Sequence, residues 1–269
     1  MGFMSRVLVL GGTGKTGSRV ATALRRRGVE PAVASRRGPV RFDWADRSTW
    51  RPALHGVDAV YVVDSQGPDA PDEVRDFADL AGSRRLVLLS SRTYGEMGAE
   101  RLATERAVTE SGARWTILRP TWFAQNFTEY EPLASPLTEA GELRLPTGDG
   151  REAFIDLDDL GEVATVALTE DGHAERTYVL SGPRSLSFAE AVDEIARASG
   201  RPLRFVAVSE DAYRADLVAA GYPTAEADEM IAVFRHIRLE RGWEPTDGVM
   251  QVLGRPPRDF AAYVAQSFG

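Results

Sequence analysis

Residues 6–17 read RVLVLGGTGKTG, and this stretch restricts the possible folds more than any other part of the chain. Residues 7–10 are all apolar and run directly into a glycine-rich segment that starts at Gly11. A short apolar run bounded by glycine is typical of a strand that is buried on both faces. Residues 18–27 then alternate apolar and basic side chains in the manner of an amphipathic helix. A strand, a glycine turn and a helix bring backbone N–H groups to a helix start, where they can bind a phosphate.

The glycines have the spacing Gly11-x-x-Gly14-x-x-Gly17, which differs from the commoner G-x-G-x-x-G of dinucleotide sites. A nucleoside triphosphate loop is an alternative, because Lys15-Thr16 resembles its Lys-Ser/Thr ending, but GGTGKT is too short for that loop. A purely structural turn is the other alternative. The position between a strand and a helix favours a dinucleotide. The predicted cofactor contacts in the turn are Gly11, Thr13, Gly14, Lys15, Thr16 and Gly17.

The composition argues against several classes of function. The chain has 269 residues, of which 43% are hydrophobic, and its net charge of −8 argues against nucleic-acid binding, which needs a basic surface. No apolar run approaches the ~20 residues that cross a bilayer, and the first residues lack a signal-peptide layout. Cysteine is absent, which excludes disulfides, thiol nucleophiles and thiolate metal sites. These features predict a cytoplasmic protein with neither nucleic-acid nor membrane partners.

Strand and helix patterns alternate through the first half of the chain. The predicted strands are 6–11, 31–35, 59–64, 85–91 and 115–119. The predicted helices between them are 18–27, 48–54, 72–81 and 99–110. This alternation predicts an α/β fold with a doubly wound parallel sheet and right-handed crossovers.

The alternation stops after Pro120. The later predicted elements are helices at 159–168, 187–198 and most of 211–239, short strands at 178–180 and 204–208, and a closing helix that ends near residue 265. We expect residues 1–150 to form the dinucleotide-binding domain, with its core at 4–125. Residues 151–269 are expected to form mainly a smaller α+β substrate-binding lobe, interleaved with the first domain.

The end of the second predicted strand indicates which dinucleotide is bound. An NAD site has an acidic residue there, which hydrogen-bonds the ribose 2′-hydroxyl. This chain has Ser35-Arg36-Arg37 instead. Guanidinium groups bind the 2′-phosphate of NADP, which a carboxylate would repel. Solvated loop charges in an arginine-rich chain are the alternative. We predict NADP(H), held by Ser35, Arg36 and Arg37.

Further candidates follow other strand ends, where open α/β sheets bind their ligands. The cofactor site is completed by Asp64, Ser90 and Pro120. The predicted substrate contacts are Tyr94, Trp122, Phe123 and Asn126. Tyr94 is also the candidate catalytic proton donor, and a packed or exposed loop tyrosine is the alternative. Helix packing is the alternative for the three residues after Pro120.

Two other groups of polar residues do not indicate a catalytic or metal-binding site. Asp156 and Asp159 are explained more simply by their place at the start of a helix, where side-chain oxygens accept hydrogen bonds from free backbone N–H groups. His55, His173 and His236 lie far apart in sequence and share no ligand spacing, so no metal site is predicted.

The chain resembles the NmrA-like family of atypical short-chain dehydrogenases/reductases. The resemblance is carried by GGTGKTG (11–17), SS (90–91), ERLATERAVTESGARWTILRPTWFAQNF (100–127), FIDLDDLGEVA (154–164) and YVLSGP (178–183). It implies a Rossmann domain, with the substrate held between that domain and a carboxy-terminal lobe. Members include NAD(P)H quinone reductases, lignan and iminium reductases, and redox-sensing regulators without catalysis.

This chain departs from the family pattern at the acid catalyst. Mainstream short-chain dehydrogenases use a Tyr-x-x-x-Lys pair, but Gly98 stands four residues after Tyr94. Many NmrA-like reductases have a lysine shortly before the glutamate matched here by Glu105, whereas this chain has Glu-Arg-Leu at 100–102. Lys15 is the one lysine among the 32 basic residues. A substrate that accepts hydride with little help from an acid would tolerate this difference.

Three functions agree with these observations. The leading hypothesis is an NADPH-dependent reductase of a hydrophobic conjugated small molecule, such as a quinone, an enone or an imine, in a setting such as secondary metabolism. The alternatives are a non-catalytic NADP(H)-binding redox sensor that signals through a partner protein, and a redox-neutral isomerase or cyclase. The chain is expected to act as a monomer or a homodimer.

Overall fold

Every strand that the sequence pattern predicts is present, although several are shorter than predicted. The computed structural model describes residues 6–97, 102–240 and 244–269. The strands are β1 Val7–Val9, β2 Ala32–Ser35, β3 Val40–Arg41, β4 Ala59–Val62, β5 Arg85–Leu89, β6 Arg114–Pro120, β7 Glu142–Leu145, β8 Arg151–Glu152, β9 Arg176–Leu180, β10 Leu186–Ser187 and β11 Arg204–Ala207.

The helices connect and cover these strands. They are α1 Lys15–Arg26, α2 Trp50–Ala53, α3 Ala70–Ala81, α4 Arg92–Met97, α5 Ala103–Thr109, α6 Asn126–Glu129, α7 Glu131–Ser135, α8 Leu157–Thr169, α9 Phe188–Ser199, α10 Glu210–Ala219, α11 Thr224–Glu240, α12 Gly248–Leu253 and α13 Phe260–Phe268. A 3-10 turn at Arg47–Thr49 precedes α2, and a π-helical turn at Pro136–Ala140 follows α7.

The central sheet has seven strands in the order β3-β2-β1-β4-β5-β6-β9. Every neighbouring pair in it is parallel. β1 pairs with β2 through Leu8 and Ala32, and with β4 through Leu8 and Val60, so the strand order reverses at β1. In doubly wound sheets the ligand binds at this reversal, at the carboxyl ends of the strands. The predicted Rossmann-type parallel sheet is confirmed.

The chain divides into two compact units. Unit 1 comprises Met1–Pro120, Leu157–Leu180 and Asp247–Pro256, and unit 2 comprises Thr121–Asp156, Ser181–Thr246 and Pro257–Gly269. The chain therefore passes between the units several times. That residues 1–150 bind the cofactor and 151–269 mainly bind substrate stays a prediction.

Unit 1 is organised around the central sheet. The three residues of β1 are completely buried, as expected for a strand covered on both faces. α8 packs closely on α1: a Cβ placed on Gly161 of α8 would lie only 3.0 Å from the carbonyl oxygen of Arg19 on α1. The predicted helix at 159–168 thus packs on α1 within unit 1.

Unit 2 has an aromatic core of its own. Its buried phenylalanine rings are Phe127, Phe154, Phe188, Phe234 and Phe260. Two small sheets flank this core: β7 runs parallel to β11, and β8 runs antiparallel to β10.

Several boundaries differ from the sequence-based expectations. α1 begins at Lys15, three residues before the predicted start, because the chain is extended at Gly14 and turns into the helix immediately. β3 and β7 were not predicted, since neither carries the long apolar run that marks a buried strand. The predicted helix 99–110 is described from Ala103 onward, and residues 99–101 lie outside the described residues.

Ser187 and Glu190, in the pattern S-x-x-E, form a capping box at the start of α9. The Glu190 N–H donates to Ser187 Oγ at 3.1 Å, and the Ser187 N–H donates to Glu190 Oε2 at 2.8 Å. This reciprocal pair satisfies two of the N–H groups at the start of α9.

Candidate functional site

The turn between β1 and α1 consists of glycines because there is no space for side chains. Gly11 has a φ of +60°, in the left-handed region that favours glycine. A Cβ on Gly12 would lie 2.8 Å from Val33 Cγ1 and 2.9 Å from the carbonyl oxygen of Val9. A Cβ on Gly17 would lie 2.8 Å from the Cα of Gly12. Any side chain at these two positions would force the turn open.

The start of α1 fits a phosphate. Gly14 is the N-cap, with φ −84° and ψ −178°, and no side chain caps the helix start. The first turn of α1 also contains no acidic residue. The first N–H groups of a helix need an external acceptor, and a pyrophosphate is one that suits them. Thr13 and Gly14 are exposed at this point. The glycine turn is therefore suited to a dinucleotide.

Lys15 and Thr16, which follow Gly14, are the first two residues of α1. The carbonyl oxygen of half-buried Lys15 accepts hydrogen bonds from Ser18 Oγ and Arg19 Nη1, both at 3.2 Å. Thr16 is buried beside the fully buried phenol of Tyr61 on β4. Burial raises the pKa of Tyr61, and the Thr16 hydroxyl offsets part of the rise. Tyr61 is therefore a neutral polar group next to the glycine turn, and the sequence does not single it out.

Arg36 and Arg37 follow β2 directly. Ser35 ends that strand and is half-buried, whereas both arginines are exposed. Within the described residues, neither arginine forms a hydrogen bond or an ion pair. Two adjacent exposed guanidinium groups without a carboxylate partner leave their donors available to an external anion.

Asp64 lies just beyond the end of β4. Its carboxylate accepts a hydrogen bond from the N–H of Gln66 at 3.1 Å. Burial raises the pKa of Asp64, although the hydrogen bonds from Gln66 and Thr104 offset part of the rise. β4 lies next to β1 in the sheet, and Asp64 follows its carboxyl end. Asp64 therefore lies at the edge of the sheet where a bound cofactor is expected.

Ser90, Glu105 and Arg119 form a hydrogen-bonded group at the ends of β5 and β6. Ser90 Oγ donates to Glu105 Oε1 at 2.5 Å, and its N–H donates to the carbonyl oxygen of Leu118 at 2.8 Å. Arg119 donates from Nε to Oε1 at 2.9 Å and from Nη2 to Oε2 at 2.6 Å. Glu105 is only 5% exposed. A buried carboxylate thus holds the serine and the arginine in a fixed arrangement, with Pro120 buried at the end of the same strand β6.

The sequence does not identify Glu105 or Arg119 as site residues. The signal that could have found them is a charged residue inside an apolar pattern, because Arg119 is the last residue but one of β6 and Glu105 lies on the buried face of α5. Charged groups in such positions are normally paired. Only the fold shows that these two pair with each other.

Tyr94 lies on the short helix α4 and is 41% exposed. Its position after β5 is consistent with the predicted role as a proton donor, and that role stays a prediction. Gly98, Glu100 and Arg101, which mark the departure from the family pattern, lie outside the described residues.

Of the residues predicted to contact substrate in unit 2, Trp122 packs against the aromatic core. The Trp122 ring lies 5.2 Å from that of Phe234 and 6.3 Å from that of Tyr130. Phe123 forms an isolated parallel bridge with Ile155 and is half-buried. Asn126 is buried at the first position of α6. Trp122 is therefore at least partly a packing residue, and substrate contact by these side chains stays a prediction.

Asp159 has a partner that local sequence does not suggest. Its buried carboxylate accepts a hydrogen bond from Arg255 Nη2 at 2.7 Å, and Glu162 accepts from the same atom. Asp156 accepts instead from Gln125 Nε2 at 3.1 Å. The two aspartates are thus engaged with different partners. Across the described ranges, no group of histidine and acidic side chains could hold a metal ion.

Sequence comparisons agree with this geometry. Residues 11–171 match the family described as NAD(P)H-binding, and residues 96–253 match the NmrA-like family. The chain belongs to the NmrA-like family. It is 35% identical to the (4-alkanoyl-5-oxo-2,5-dihydrofuran-3-yl)methyl phosphate reductase of Streptomyces griseus over 97% of each chain. It is 32% identical to the NAD(P)H azoreductase of Xenophilus azovorans, over 98% of this chain and 99% of that one.

The fold is shared with a solved reductase. The Citrobacter triphenylmethane reductase complexed with NADP(H) superimposes with a TM-score of 0.77 at 21% identity, over 98% of this chain and 99% of that one. This likeness shows the fold, and the family matches and the relatives make the protein an NAD(P)H-dependent oxidoreductase of the atypical short-chain dehydrogenase/reductase type. No described helix is both long and apolar enough to span a membrane.

Proposed function

We propose that this chain uses NADPH to reduce a hydrophobic conjugated small molecule, such as a quinone, an enone or an imine. The observation that carries the choice of cofactor is the exposed pair Arg36 and Arg37, which has no carboxylate partner within the described residues. In this proposal the pair binds the 2′-phosphate, because guanidinium groups form charge-assisted hydrogen bonds with phosphate oxygens.

The other cofactor contacts follow from the sheet. The N–H groups around Gly14 donate to the pyrophosphate, and Asp64 and Ser90 lie at the carboxyl ends of the neighbouring strands, where the rest of the dinucleotide is expected. NADPH, when bound, supplies a hydride. Tyr94 donates a proton to the atom that gains charge on reduction.

The choice of substrate class is supported by two relatives. One is named as an azoreductase and the other as the reductase of an alkanoyl-oxodihydrofuran phosphate, and both substrates contain conjugated multiple bonds. Such groups accept a hydride without strong acid assistance, which suits a chain with no lysine four residues after Tyr94. We further propose that the protein acts in the cytoplasm, as a monomer or a homodimer.

The test is NADPH oxidation by the purified protein with a panel of quinones, enones and imines. We expect turnover with at least one class and a lower rate with NADH. No oxidation across the panel would refute the reductase. Tight NADP⁺ binding with a protein partner retained would then favour the redox sensor, and conversion of a substrate without net NADPH use would favour the isomerase or cyclase.

A further inference from the structure

The glycine that follows Tyr94 lies against the guanidinium group of Arg119. A Cβ placed on Gly95 would lie 3.2 Å from Nη1, 3.5 Å from Cζ and 3.7 Å from Nε of Arg119. Three such similar distances place this point over the flat face of the guanidinium and not at its edge. α4 therefore lies close against Arg119, and a Cβ at residue 95 would require the guanidinium or α4 to shift by a few tenths of an ångström.

Arg119 cannot easily move away from α4. Its Nε and Nη2 atoms both donate to Glu105, which is buried and also accepts from Ser90. A bidentate arginine–carboxylate pair fixes the plane of the guanidinium as well as its position. The surface that Gly95 contacts is consequently rigid.

α4 depends on tertiary contacts for its position. It spans only Arg92–Met97, and helices this short are not stable without tertiary contacts. The neighbouring residue Tyr94 is 41% exposed, so only part of its side chain packs against the rest of the protein. The contact under Gly95 is thus well placed to determine where the backbone of Tyr94 lies.

We propose that Arg119 is a positioning residue for Tyr94. Its guanidinium, locked by Glu105, is the platform on which α4 rests, and this platform sets the point from which the Tyr94 phenol reaches the substrate. The inference rests on the proposed function, in which Tyr94 donates a proton. Proton transfer needs a donor within about 2.6–3.2 Å of its acceptor, so a small displacement of α4 is costly.

The first test is Gly95→Ala, with Gly112→Ala as the matched control, because a Cβ on Gly112 meets no atom within 4 Å. With menadione as acceptor, Gly95→Ala should lower kcat about threefold to tenfold and leave the KM for NADPH unchanged, since the added methyl moves α4 by a fraction of an ångström. Alanine is a better helix former than glycine, so a weaker helix cannot explain the decrease. A kcat equal to that of Gly112→Ala overturns the proposal.

A double-mutant cycle shows whether the effect passes through Tyr94. In a Tyr94→Phe background there is no phenol to position, so Gly95→Ala should lower kcat no further. The same fold-loss in both backgrounds overturns the proposal. So does a Tyr94→Phe variant as fast as the parent protein.

A measurement that needs no turnover separates this inference from the proposed function. Glu105→Gln keeps the shape of the side chain but releases the charged contacts of Arg119, with Glu110→Gln near the end of the same helix as control. Amide exchange in residues 92–97 should become about tenfold faster in the first variant alone. Unchanged exchange overturns the platform even in an inactive protein, whereas absent NADPH oxidation in the parent counts against the reductase only.

Discussion

Arg119 and Arg184 differ from Arg36 and Arg37 in their partners. Arg119 and Arg184 each donate two or more hydrogen bonds to carboxylates at 2.6–2.9 Å, and such arginines hold elements of the fold together. Arg36 and Arg37 are exposed and, in the described part of the chain, have no such partner. What distinguishes this pair is its place directly after β2, where the donors of two adjacent guanidinium groups are available to an anionic ligand.

Replacing both Arg36 and Arg37 with alanine tests this role. NADPH binding should weaken by about 1.5–3 kcal/mol for each charge-assisted hydrogen bond that the substitutions remove, while NADH binding should barely change. Arg26→Ala, at an exposed position on α1, is the matched control. Fluorescence titration with both cofactors gives the two dissociation constants, and equal weakening for NADH and NADPH would show that the arginines do not read the 2′-phosphate.

Tyr94→Phe tests the proposed proton donor. Loss of a positioned general acid costs about 10²–10⁴ in rate, and we expect kcat to fall at least about tenfold, with NADPH affinity unchanged. Tyr178→Phe, which removes a phenol bonded to His173, serves as the control for loss of a hydroxyl. Steady-state kinetics in which Tyr94→Phe turns over at the parent rate would place the proton donor elsewhere.

At the scale of elements, the helix starts differ in how their N–H groups are satisfied. The N-cap residues of α9, α10 and α13 each have a side chain that accepts a hydrogen bond from a first-turn N–H group: Ser187, Ser209 and Asp259 respectively. The N-cap residue of α1 is Gly14, which has no side chain to do so. In α9, α10 and α13 a side chain of the protein satisfies one of the free N–H groups at the helix start, whereas the N–H groups at the start of α1 are suited to a ligand.

The start of α13 gives a prediction about pH. Hydrogen bonds from Arg184, joined by that of the Ala261 N–H, hold the pKa of Asp259 below its usual value despite burial. A lowered folded pKa means that this contribution to stability is present above the unfolded-chain value of about 4 and is lost as the pH falls through the folded value. The expected destabilisation by Asp259→Asn is therefore largest near neutral pH and disappears in strong acid.

Urea unfolding at neutral and at acidic pH measures this difference. Asparagine still caps a helix, so Asp259→Asn removes mainly the charged contacts to Arg184, and we expect it to cost about 1–2 kcal/mol at neutral pH. Asp259→Ala removes the cap as well and should cost more. A cost of Asp259→Asn that is the same at both pH values would exclude the ionised carboxylate as its cause.

At the scale of the whole molecule, stability comes from two separate cores. The core of unit 1 lies around the parallel sheet, and the core of unit 2 is the aromatic cluster around Phe188. The dinucleotide is expected to bind unit 1 in its folded form alone. Since a ligand that binds only the native state stabilises it, the cofactor should raise the unfolding temperature.

NADPH at about 100 times its dissociation constant should add about 2.7 kcal/mol of stability, which corresponds to roughly 5–10 °C in Tm. NADH at the same concentration should have a much smaller effect. The Arg36→Ala/Arg37→Ala variant, measured beside the parent, should no longer show the difference between the two cofactors. Differential scanning calorimetry that finds equal shifts in the parent would contradict the preference for NADPH.

The sequence by itself determined the features that neighbouring residues control. The glycine turn, the alternating strands and helices of unit 1 and the Ser187/Glu190 capping box are all visible in short windows. Each depends on local physics: backbone freedom at glycine, the period of apolar side chains, and a cap three residues from its partner. From these features the nucleotide-binding fold and its cofactor class could be predicted.

Only the tertiary structure decided the pairs that join distant segments. β7 finds its parallel partner in β11, Asp159 binds Arg255, and Glu105 holds Arg119 under Gly95. Such a contact depends on where the sheet and its covering helices place two segments, and no local pattern encodes that distance. Burial then makes the pairing of charged groups necessary, because a charge removed from water without a partner costs a large amount of free energy.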